Sequence, residues 1–286
     1  MKNLFKVTLV VIAFSLSAFN ASAQTVLGNP PPSLPYIKDH LPDRIPIQYT
    51  HLREADVMWS KTIWRVVDLR EKQNLPLYYP TTEIKDRLSL FDCIKKGLVS
   101  GELTAYDKPL LDDEFTFEMK LSEINAKLNF VDTQLTQNIN TFEWDTVLVP
   151  RSIGSENVKQ YWIKEVWFFD KQRSVMDVRI IGISPLIEKI DKTTGEFRGY
   201  EPLFWLYFPA CRNYFAKFEC FNRQNDGERR TFDDIFHKRL FESYIRKESN
   251  VYDRLIIEYT QQMGALLESD RVKDDLFTVE HDLWHF

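Results

Sequence analysis

The chain has 286 residues, 44% of them apolar and 14% aromatic, with a formal net charge of −5: enough for one large domain or two small ones around a substantial core. The acidic balance and the lack of a Lys/Arg run exclude a nucleic-acid ligand, because phosphate neutralisation needs clustered cations. With 9 Gly and neither a Walker loop, a G-x-G-x-x-G nor a G-x-S-x-G, there is little material for a phosphate cradle or a nucleophile elbow.

At the N-terminus, Lys2 and Lys6 precede an apolar run, Val7 to Phe19, too short to span a bilayer, and Ala21-Ser22-Ala23 follows as an A-x-A site. Residues 1–23 therefore read as a cleavable signal peptide, and the mature chain is expected to begin at Gln24 outside the cytoplasm, with no Cys at the cleavage point to carry a lipid. Losing Lys2 and Lys6 takes the charge from −5 to −7, and 286 − 23 leaves 263 residues. Residues 24–49 follow as an extended arm: Pro30, Pro31, Pro32, Pro35, Pro42 and Pro46 forbid helix. Its Leu34, Tyr36, Ile37, Leu41 and Ile45 suit it to lie along its own or a neighbouring subunit.

From Thr50 to about Lys72, Leu52, Ala55, Met58, Trp59, Ile63, Val66, Val67 and Leu69 recur at helical spacing, which predicts an amphipathic helix capped by Thr50. Val57 and Trp64 fall on its charged face, where a ring is covered or meets a partner. A second helix is expected from about Thr82 to Val99, stopped by Gly101, and Ala105 to Glu143 reads as mixed strand and helix. Between Asp145 and Phe208 the period becomes two. Val158 to Phe169, Val175 to Ile183 and Leu203 to Phe208, parted by polar turns, predict antiparallel strands of one sheet. Helix returns over Phe232 to about Lys247, capped by Thr231 with Asp234, and over Val251 to about Leu267, capped by Asn250 with Asp253. The stripe Val251, Tyr252, Leu255, Ile256, Tyr259, Met263, Leu266 and Leu267 on that last helix is expected in the core, the alternative being a partner's groove.

Chemistry is sparse. His281 and His285, four apart beside Glu280, are the one suggestive ligand pair, but they lack a third ligand, so no metal site is assigned. Cys211 and Cys220 could close a short disulfide in an oxidising compartment, leaving Cys93 as a buried thiol; three unpaired buried thiols is the equal alternative. Trp162, Trp167 and Trp205 on the predicted strands support a rival reading, a periplasmic hydrolase or glycan-binding protein whose rings stack sugars. Rings and carboxylates converging in one deep pocket would favour that rival, and rings spread over broad patches a scaffold.

The run from Leu52 through Trp59, Trp64 and Leu69 to Lys72, followed by Asn74-Leu75-Pro76-Leu77-Tyr78-Tyr79-Pro80, resembles the opening of the gliding-motility family GldN, called PorN in non-gliding relatives. Thr231-Phe232-Asp233-Asp234-Ile235-Phe236 and Ser243-Tyr244-Ile245-Arg246-Lys247-Glu248-Ser249-Asn250-Val251-Tyr252-Asp253-Arg254 resemble its second hallmark. The resemblance implies a non-catalytic structural component of the type IX secretion system of Bacteroidota, periplasmic and held at the outer membrane only through partners. The implied partners are other copies in a ring, the outer-membrane lipoprotein GldK or PorK, and the periplasmic part of the motor protein GldM or PorM. It implies no catalytic residue and no cofactor. The resemblance does not separate GldN from its paralogue GldO. The expected fold is α+β: an antiparallel sheet (145–208) flanked by N-terminal (50–101) and C-terminal (231–267) helices in a core domain of residues 50–286. Val57, Trp64, Leu34, Tyr36 and Ile37 are the expected partner contacts.

Overall fold

The computed structural model describes residues 43–283 except 85–86, 108, 111–112, 138–143, 192–195, 226 and 262. The expected signal peptide and the expected arm as far as residue 42, with Leu34, Tyr36 and Ile37, lie outside the described residues, as does His285.

The fold is α+β. In chain order come strand β1 (Val57–Asp68), helix α1 (Leu75–Tyr78), α2 (Leu90–Ser100), β2 (Ala105–Tyr106), α3 (Leu121–Leu128), β3 (Asn129–Gln137), β4 (Trp144–Ser152), β5 (Val158–Asp170), β6 (Val175–Ile190), β7 (Phe197–Pro202), β8 (Trp205–Tyr207), α4 (Phe208–Phe215), β9 (Glu219–Cys220), β10 (Arg230–Thr231), α5 (Phe232–His237), β11 (Tyr244–Glu248), α6 (Ile256–Tyr259) and α7 (Met263–Asp282). A seven-stranded antiparallel sheet in the order β11-β1-β5-β6-β8-β2, with β7 also on β6, is the frame of the molecule.

The first predicted helix is instead β1. Ile63 and Arg65 to Asp68 are buried, on both faces of the sheet, so the run loses a clean polar/apolar alternation and imitates a helical stripe. Its β-branched and aromatic content, Val57, Trp59, Thr62, Ile63, Trp64, Val66 and Val67, was the strand signal. The second helix forms, but starts at Leu90 with the Ser89 hydroxyl accepting from the Asp92 N–H at 3.1 Å. It ends as expected, with Gly101 in the left-handed region at φ 77°. The strands β5, β6 and β8 form one sheet as expected, but β4, inside the predicted sheet region, pairs with β3 in a separate hairpin.

The C-terminal helices are the second correction. Thr231 and Asp234 do cap α5 reciprocally, yet the helix stops at His237, and Tyr244–Glu248 cross to pair with β1. Asn250 closes a turn, accepting from the Arg254 N–H at 3.0 Å, and opens no helix. The predicted core stripe is mostly outside: Ile256 is buried, but Val251 is 98% exposed and Tyr252, Met263, Leu266 and Leu267 are exposed too.

By alternation along β1 and β5, one sheet face carries Val67, Tyr161 and Ile163, packed under α2, α4 and α5. At its far end Ile63 and Ile245 meet Ile256, Val272 and Leu276 of α6 and α7. The opposite face carries Val66, Trp162, Leu186 and Trp205. Phe115, at φ 62°, lays its ring on that face against Tyr106, Trp205 and Tyr207. Helix α7 also masks the sheet edge, because the buried Ser269 hydroxyl accepts the Ile245 N–H at 2.8 Å.

Candidate interaction surfaces

Trp64 and Val57 were placed on a helix; both belong to β1 and no longer share a helical face. Trp64 is half-buried and held by its own chain: Nε1 donates to Asp113 Oδ2 at 2.8 Å, and the Lys247 and Lys164 ammonium groups lie 4.4 and 5.7 Å from the ring centroid. Val57, also half-buried, pairs with Asp170 at the outer end of β5.

The three tryptophans of the rival reading do not make a sugar platform. Trp162 and Trp205 share a face, but Trp162 is 8% exposed beneath the Arg246 guanidinium at 3.6 Å, and Trp205 is 2% exposed with Nε1 donating to Pro109 O at 3.0 Å. Trp167 lies on the opposite face, with Arg239 and Arg65 at 5.3 and 5.8 Å from its centroid. Cations therefore occupy ring faces that a sugar would need.

Beside Trp167 is a buried ion cluster that composition did not reveal. Glu165, 0% exposed, accepts from Arg65 Nε, from Arg239 at 2.8 Å and from Trp167 Nε1 at 2.8 Å. Burial alone would raise its pKa, but the Arg65 and Arg239 guanidinium groups and the bonds from Arg239 and Trp167 outweigh it, so the carboxyl is held below its usual range. The cluster joins β1, β5 and the chain after α5. A second buried pair, Arg212 Nε to Asp233 Oδ1 at 2.8 Å, joins α4 to α5, and Tyr49 stacks 4.2 Å from that guanidinium. These pairs hold the fold and carry no open coordination position.

A half-open groove of about 820 Å³ runs over Leu75, Pro76, Leu77, Ile235 and Leu240, with Tyr79 and Phe221 exposed at its margin and Lys72, Arg223 and Arg230 among its lining. Among the described residues its lining holds no carboxylate, His or Cys. Cys93, Cys211 and Cys220 are free, buried thiols, and the Cys220 thiol donates to Pro76 O at 3.1 Å. Burial pushes Cys211 and Cys220 up to about 12, which keeps them protonated. His281 is exposed on α7, and no group of three or more metal-ligating side chains occurs among the described residues. None of the described helices is long and apolar enough to cross a membrane.

What is exposed instead is apolar surface on the C-terminal segment. Val251, Tyr252, Ile257, Met263, Leu267 and Phe277 are exposed on the turn before α6, on α6 and on α7.

The family described as gliding motility associated protein GldN matches residues 52–285, from β1 to the end of α7. No curated protein matches the chain.

Proposed function

This chain belongs to the GldN family, a component family of the gliding motility and type IX secretion apparatus, and on that premise we propose that it is a non-catalytic scaffold of that machinery, working in the periplasm. In this reading the signal peptide exports it, copies associate into a ring, the outer-membrane lipoprotein GldK or PorK holds the ring at the membrane, and the periplasmic part of GldM or PorM meets it. The observation that carries the reading is the match across nearly all of the folded chain, taken with apolar side chains on the C-terminal segment that are exposed among the described residues. Interfaces concentrate such apolar and aromatic side chains, whereas a catalytic pocket would bring acids and a cavity together.

The test is fractionation. The mature chain is expected with the outer membrane only when the lipoprotein is present, because none of its described helices is long and apolar enough to cross a membrane. Retention on salt-washed membranes after deletion of the lipoprotein overturns the reading.

A further inference from the structure

Strand β11 carries a bulge where it pairs with β1. Arg65 faces Ile245 and Trp64 faces Lys247, so Arg246 is an extra residue with no partner in the ladder. In a regular strand Arg246 and Lys247 would point to opposite faces; the bulge turns both to the tryptophan face, Arg246 over Trp162 and Lys247 over Trp64. A bulge that re-aims a side chain in this way is a common device at functional sites.

The two cations differ in what they meet. Lys247 is paired with Asp253 at 2.5 Å. Arg246 is half-buried, and its five N–H donors find no acceptor among the described residues. Burial lowers its pKa to about 10, so it stays charged near neutrality. It lines a half-open pocket of about 250 Å³ walled by Trp64, Trp162 and Trp205. The acids of that pocket are engaged: Asp113 with Trp64 Nε1 at 2.8 Å and Lys164 at 3.3 Å, Asp253 with Lys247, and Glu258 with the Leu255 N–H at 3.2 Å.

We propose that this pocket is a receptor for one carboxylate, presented as an Asp or Glu side chain by a partner protein and held by the Arg246 guanidinium between the tryptophan walls. A guanidinium offers parallel donors in a rigid fork that matches a carboxylate, and a partly dry, ring-walled setting strengthens that pairing. Size selects the bearer: 250 Å³ is below the 300–1,000 Å³ usual for small-molecule sites, and suits one side chain. Buried Arg and Trp are also the residue types that dominate binding energy at interfaces. The inference rests on the scaffold reading only for the identity of the bearer; the chemistry of the pocket stands without it.

The experiment titrates the purified mature chain with acetyl-Gly-Glu-Gly-amide at constant ionic strength and follows the tryptophan indole N–H resonances. The Trp64 and Trp162 signals should move saturably with this peptide and stay still with its Gln analogue, and Arg246→Met should weaken binding by about tenfold or more. Arg246→Lys, which keeps the charge and loses the fork, should also weaken it and serves if the Met variant does not fold. No movement, or equal movement with the Gln peptide or in both variants, overturns the proposal. Sodium acetate binding as tightly as the peptide overturns the assignment to a partner's side chain. Loss of co-purifying machinery from cells carrying Arg246→Met supports a bearer within the assembly, independently of the fractionation result.

Discussion

Glu165 shows what a single residue holds together. Two arginines and a tryptophan converge on one carboxylate with no exposed surface, so removing its charge strands Arg65, itself buried, without a counter-ion. Glu165→Gln should cost about 3–5 kcal/mol at neutral pH, read from urea unfolding. The sign of its pH dependence follows from its lowered pKa. The stabilisation is present above the unfolded value near 4.3 and is lost as pH falls through the lower folded value, so wild type and variant should converge in acid. A gap that stays constant from pH 7 to pH 3 would mean that the carboxylate is not what stabilises the site. Gly182 is a second such position. A Cβ there would lie 2.7 Å from Phe115 Cζ and 3.1 Å from Trp205 Cε3, both rings packed in the tryptophan face, so Gly182→Ala should cost about 1–3 kcal/mol by overpacking. Trp64→Phe removes the indole bond to Asp113 and weakens the contacts of Lys247 and Lys164 with the ring, and should cost about 1–2 kcal/mol, a loss read on the isolated chain by the same unfolding curve.

Helix α7 closes the β11 edge by two means, packing Val272 and Leu276 against Ile63 and Ile245, and accepting the Ile245 N–H on Ser269. Ser269→Ala leaves a buried N–H without an acceptor, which should cost about 1–3 kcal/mol and speed hydrogen exchange at the Ile245 amide. An unchanged exchange rate would show that the edge is shielded by packing alone. The segment before β1 is an element too, although it is not regular. Arg44 pairs with Asp234 at 3.0 Å and bonds Arg229 O at 2.9 Å, Tyr49 stacks on Arg212, and Thr50 O accepts from Arg179 at 2.5 Å. The core therefore starts before Thr50. A chain starting at Asp43 should keep full stability, while one starting at Thr50 should lose about 1–2 kcal/mol as several single contacts go together.

Among the described residues, two sheet faces and the β11 edge are covered in different ways. Helices bury one face, the Phe115 loop and aromatic side chains cover the other, and α7 masks β11. Several exposed apolar side chains, among them Val251, Tyr252 and Leu267, lie on the C-terminal segment. If that surface is an interface, Val251→Ser with Leu267→Ser should leave monomer stability within about 0.5 kcal/mol, because both side chains are exposed, and should reduce oligomer size in light scattering. Oligomers of unchanged size would place the self-association surface elsewhere, with the Pro-rich arm next to test by truncation to Asp43.

Local signals in the sequence determined the strands β5, β6 and β8, whose period of two and polar turns are local facts, and the stops and caps at Gly101 and at Thr231 with Asp234. The long family runs determined membership as well, since they need only residue order. Tertiary structure alone decided β1 and β11. A strand buried on both faces loses its alternation, and Arg65 and Asp68 look like a solvated face until Glu165 and Gln160 are brought to them across the sheet. It also decided that Val251 to Leu267, apolar at helical spacing, lies mostly outside, because Ile245, Ile256, Val272 and Leu276 fill the space against Ile63. Arg246 was invisible in the same way: one basic residue among 37 becomes distinctive only when a bulge turns it onto a tryptophan, with no hydrogen-bond acceptor among the described residues.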